Sequence, residues 1–61
     1  MSESEVGISA ITMVRAHGRK AVMEADKMAD KMRARQDDTG HENWTRIATA
    51  IRMLDRGHDA R

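Results

Sequence analysis

The sequence contains no cysteine, proline, tyrosine or phenylalanine, and its one aromatic residue is Trp44. Without cysteine, neither a disulfide nor a thiolate metal site can form. That fits a reducing cytoplasm better than a small secreted scaffold, so a cytoplasmic location is expected. The β-branched residues are scattered rather than alternating, which argues against a sheet. No apolar run approaches the ~18 residues of a membrane span. The opening stretch is acidic and lacks the basic-then-apolar order of a secretory leader.

What is present is a helical rhythm. Ile11, Val14, Gly18, Ala21, Ala25, Met28 and Met32 recur at alternating spacings of three and four. Residues so spaced stack on one face of an α-helix. A second stripe follows at Trp44, Ile47, Ile51 and Leu54. Ser2 or Ser4 can cap the first helix, and Glu3 and Glu5 suit the positive end of its dipole. Between the stripes, Gln36-Asp37-Asp38-Thr39-Gly40 is polar and turn-rich. Thr39 and Glu42 match a capping box, in which each side chain satisfies a backbone donor at the helix start. The spacing thus predicts a helix over about 4–36, a turn at 37–40, a helix over about 41–56 ended by Gly57, and a frayed tail at 57–61.

Gly18 admits two readings. The stripe keeps its phase across it and no capping residue stands nearby, as in a continuous helix with a flat spot on its seam. Alternatively, His17-Gly18 ends a first helix, with glycine supplying the left-handed conformation. The steps Ala16-His17-Gly18, Ala21 and Ala25, the polar turn, and Trp44-x-x-Ile47-x-x-Ala50 with Leu54 resemble a group of short uncharacterised alphaproteobacterial proteins. The resemblance spans residues 10–54, implies a helical fold with a break at the His-Gly step, and implies no activity. That group often has a proline soon after the step, which this chain lacks.

The chain has 61 residues, enough for one small domain. A chain of this size buries only about 60% of its unfolded surface and is marginal without support. The expected fold is all-α, a helical hairpin or a small three-helix unit, assembling as a homodimeric bundle through its seam. The predicted core and self-association seam comprises Ile11, Val14, Gly18, Val22, Met28, Met32, Trp44, Ile47, Ile51 and Leu54. Trp44, in phase with Ile47 and Ile51, reads as a core residue rather than an interface anchor. Truncating a buried large aromatic to alanine costs about 3–5 kcal/mol.

Chemistry-bearing patterns are sparse. His17, His41 and His58 lack the paired spacing of zinc ligands and read as capping or solvated residues. No glycine-rich phosphate loop, nucleophile elbow or paired carboxylate motif occurs. The expectation is therefore a non-enzymatic protein with no cofactor, a small regulator or adaptor that binds another macromolecule. Met13, Met23 and Met53 fall off the main stripes, and adaptable thioethers suit a binding face, so they are the candidate partner contacts.

Net charge is +1, but residues 14–35 hold seven basic residues against three acidic ones. Lys20, Lys27 and Lys31, with Arg52 and Arg56 beside Thr45 and Thr49, form the alternative site, that of a small DNA-binding regulator. Glu24, Asp26 and Asp30 lie among the lysines and favour a solvated, ion-paired face instead. An inhibitor of a host enzyme complex, of the kind phages encode, is a further alternative that no residue marks.

Overall fold

A computed structural model of the chain describes the backbone of residues 2–59 and the side chains of residues 2–55. Helix α1 spans Glu3–His17 and starts on a capping box. Ser2 Oγ accepts from the Glu5 amide at 3.2 Å, and Glu5 Oε1 accepts from the Ser2 amide at 2.9 Å. A 3₁₀ turn over Gly18–Lys20 separates α1 from α2, Ala21–Ala34. Helix α3 runs over Asp38–Asp59. The described residues contain no strand, so the protein is all-α.

The chain breaks at Gly18, where φ is 58° and ψ is −127°, a combination that side chains disfavour. The Gly18 amide still donates to the Val14 carbonyl, which closes the last turn of α1 before the chain turns back.

The next connection is a Schellman motif. The Gln36 amide donates to the Arg33 carbonyl at 2.9 Å and the Asp37 amide donates to the Met32 carbonyl at 2.8 Å. Gln36 occupies the left-handed position at φ 62°.

The start of α3 differs from the sequence expectation. Asp37, rather than Thr39, caps it, with Oδ1 accepting from the Gly40 amide at 2.9 Å. The helix therefore begins at Asp38, and Thr39 lies inside its first turn. Asp37 prevails because the Schellman turn delivers its carboxylate directly to the orphan amides of the new helix. At the far end the helical backbone passes through Gly57 to Asp59 instead of stopping at 56. A glycine inside a helix costs only about 1 kcal/mol, too little to force termination. Ala60 and Arg61, the end of the predicted tail, lie outside the described residues.

Helices α2 and α3 form an antiparallel hairpin. Arg52 of α3 donates to Asp26 of α2 at 2.9 Å, and His41 lies 2.9 Å from the Ala29 carbonyl. That carbonyl can only accept, so His41 Nδ1 carries the proton. Helix α1 lies on α3 and runs parallel to it, with Glu3 and Val6 beside Thr45 and Thr49, and Val14 beside Leu54. The topology is up-down-up.

Among the described residues the core is wholly apolar and small in side chain. Of the eight buried residues described, five are alanine: Ala10, Ala21, Ala25, Ala29 and Ala48, with Val6, Ile47 and Ile51. Ala21, Ala25 and Ala29 recur every fourth residue and line the inner side of α2, where short side chains let the α3 backbone approach closely. Met13, Val22, Trp44 and Ala50 pack around this centre, each half-buried.

The single chain buries only part of the predicted core and self-association seam. Ile47 and Ile51 are buried, and Val22, Met28, Met32 and Trp44 are half-buried. Ile11, Val14, Gly18 and Leu54 are exposed. The stripe would face one way only along a straight helix. The bend at Gly18 turns α1 so that Val6, Ala10 and Met13 point inward instead. Leu54 ends the α3 stripe on the flank that α1 leaves uncovered, beside Ile11 and Val14.

Candidate functional site

Helix α1 has more apolar surface than the core takes up. Val6, Ala10 and Met13, spaced by four and three, meet the core. Gly7, Ile11 and Val14 repeat that spacing one residue along, and so lie on the adjoining flank. On α3 the matching flank carries Ala50, Met53 and Leu54. These two flanks bound a long open groove.

Three adjoining depressions make up the groove. The first, of about 540 Å³, lies between Glu3, Val6 and Gly7 of α1 and Thr45, Arg46 and Thr49 of α3. The central one, of about 280 Å³, is lined by Gly7, Ala10, Ile11, Ala50, Met53 and Leu54. The third, of about 370 Å³, lies among Ile11, Val14, Arg15, Leu54 and Asp55. Ile11 is 44% exposed, Val14 37%, Met53 68% and Leu54 45%, with Ile8 at 65% just beyond Ile11 on α1. Single exposed apolar residues are ordinary, whereas a contiguous apolar patch marks an interaction surface.

Each end of the groove carries an acid and a base on opposite walls, and at one end the base is also paired with a second acid. Glu3 of α1 and Arg46 of α3 stand at one end, with Arg46 also 3.0 Å from Glu42. Arg15 of α1 and Asp55 of α3 stand at the other. Gly7 lies in the helical interior of α1, where glycine costs about 1 kcal/mol relative to alanine. A β-carbon there would meet nothing within 4 Å, so packing within the chain does not require glycine.

The methionines proposed as partner contacts separate. Met53 lines the groove; Met23 is exposed on α2, away from it; Met13 is half-buried against the core. Sequence reasoning missed Gly7 and Ala50 as groove residues, and it assigned Ile11, Val14 and Leu54 to the core and self-association seam. The readable signal was the doubled apolar stripe of α1, wider than one buried face needs.

Two of the basic residues of the DNA alternative face carboxylates of the same chain. Lys20 of the 3₁₀ turn and Lys27 and Lys31 of α2 are exposed. Lys27 lies 3.6 Å from Glu24, and Arg52 is engaged with Asp26 at 2.9 Å. The Arg56 side chain lies outside the described residues. Thr45 and Thr49 donate their hydroxyls to the carbonyls of His41 and Thr45, one turn back on their own helix.

Among the described residues no three His, Cys, Asp or Glu side chains stand close enough to hold a metal ion. His17 is exposed at the end of α1, His41 is held by Ala29, and the His58 side chain lies outside the described residues. No described helix is long and apolar enough to cross a membrane.

The fold and groove define the class, a small all-α protein with three α-helices among the described residues and an open apolar face. Comparison with protein families, with curated proteins and with solved structures finds no match to this chain.

Proposed function

We propose that this chain is a non-enzymatic interaction protein, a small regulator or adaptor, and that the groove between α1 and α3 is a surface that another folded chain covers. The observation that carries this reading is the contiguous exposure of Ile11, Val14, Met53 and Leu54 along two parallel helices. Such a surface is stabilised by covering it, at ~25 cal/mol per Å² of apolar area removed from water. The groove is open along its length, which suits a helix or a flat protein face better than a small molecule enclosed on most sides.

The DNA-binding alternative has weaker support, since Lys27 and Arg52 already face carboxylates of the same chain. It requires duplex affinity that falls steeply with salt and is lost on Lys27→Glu or Arg52→Glu.

Site-specific photocrosslinking tests the interaction reading. A photoreactive residue placed at Ile11 or Met53, compared with one at Met23 or Lys31, should give macromolecular adducts from the groove positions in cells. Adducts absent from the groove, or equal at all four positions, would reject it.

A further inference from the structure

We infer that the occupant of the α1–α3 groove is a second copy of this chain, packed about a two-fold axis with its helices antiparallel. This rests on the groove being an interaction surface and names what covers it.

A two-fold interface must be self-complementary, since the same patch serves both partners. The groove meets that condition through its end charges. Rotation about an axis lying across the groove, in the plane of the face, exchanges its two ends. Glu3 then stands opposite the partner's Arg15, and Arg46 stands opposite the partner's Asp55. One axis serves both pairs. The midpoint between Glu3 and Arg15 on α1 falls at Ser9, next to Ala10, and that between Arg46 and Asp55 on α3 falls between Ala50 and Ile51. Ala10 and Ala50 line the same central depression.

Rotation about an axis running along the groove would match the charges too. It would also bring the positive ends of four helices together, whereas the crosswise axis opposes their dipoles. The crosswise axis is therefore favoured. Gly7, unexplained within the single chain, borders this centre and leaves a low point where the two α1 helices can approach.

The test is native mass by light scattering from low to high micromolar, with helical content followed by circular dichroism. Wild type should reach twice the monomer mass. Ile11→Glu, at an exposed position, should keep the helical signal and weaken association at least tenfold. Glu3→Arg and Arg15→Glu should each weaken it, and together should restore most of it, because the swapped charges again face each other across the crosswise axis.

A monomer at all concentrations overturns the inference. So does a dimer indifferent to Ile11→Glu, or one that the double swap fails to restore. A monomer that still gives Ile11 adducts with another macromolecule would overturn the second-copy assignment while leaving the groove an interaction surface.

Discussion

Replacing Gly18 by alanine should cost this small domain most of its stability margin, because the whole placement of α1 depends on one backbone conformation. Gly18 sits at φ 58° and ψ −127°, outside the left-handed helical well that other residues occasionally visit. Forcing a β-carbon into such a conformation costs on the order of 1–3 kcal/mol. The same substitution favours a competing structure. A straight helix through position 18 gains about 1 kcal/mol when alanine replaces glycine. The bent form thus loses about 2–4 kcal/mol relative to the straight one. A domain of this size rarely has more than about 3–5 kcal/mol in hand.

Two assays read the outcome. Urea or thermal melts should show a marked loss of stability, while far-ultraviolet dichroism retains or gains helix. Small-angle scattering of the monomer should show elongation. The bent chain has a Cα radius of gyration of 11.3 Å. A continuous helix over residues 3–34 would be about 48 Å long, with a radius of gyration near 14 Å for that rod alone. Unchanged melting together with an unchanged radius would refute the assignment of the bend to Gly18.

Gln36→Gly should act in the opposite direction. The left-handed position costs a side-chain-bearing residue about 1–2 kcal/mol, partly offset by the greater unfolded entropy of glycine, so a net gain of roughly 0.5–1 kcal/mol is expected in denaturant melts. Gly7→Ala should stabilise the monomeric fold by about 1 kcal/mol, because the added methyl meets open space, while weakening association measured by light scattering. Gly40→Ala should not show that gain, since its β-carbon would lie 2.6 Å from the Asp37 carboxylate and 2.9 Å from Met32 Sδ. Ala25→Leu should destabilise by about 1–3 kcal/mol or more in the same melts, as Ala25 is fully buried among packed helices.

The all-α class and the hairpin were legible because helical spacing and turn composition are local properties. Trp44, Ile47 and Ile51 repeat at three and four, and they do pack on or around the core. The turn could be seen in Asp37 to Gly40, yet its cap was misassigned. The capping box at Thr39 and Glu42 competes with Asp37, and only the preceding Schellman turn decides between them. Gly18 was ambiguous for a related reason. A glycine is compatible with either conformation, and the stripe's unbroken phase argued for the straight one. The exposure of Ile11 and Val14 in the single chain follows from that bend. Ile11 and Val14 are in phase with Ala21 and Ala25 only if α1 and α2 share an axis. Periodicity cannot report a rotation between two helices when the residue joining them fits both.

The distribution of side-chain size joins the fold to the groove. Alanines fill most of the described core, while Ile8, Ile11, Val14, Met53 and Leu54 remain exposed. Alanine permits close helix approach but contributes little apolar area, whereas fully burying one large aliphatic side chain stabilises by about 1.5–3 kcal/mol. Covering several half-exposed groove residues would therefore contribute an amount comparable with the margin of the isolated chain. Association and folding are then linked. Because a dimer binds folded chains only, the melting temperature should rise with protein concentration. Ile11→Glu should abolish that dependence while leaving the dilute-limit melting temperature nearly unchanged, since the residue contributes little to the core of the single chain. A melting temperature independent of concentration in the wild type would mean that the alanine core alone sustains the fold, and would overturn the assignment of a second copy to the groove.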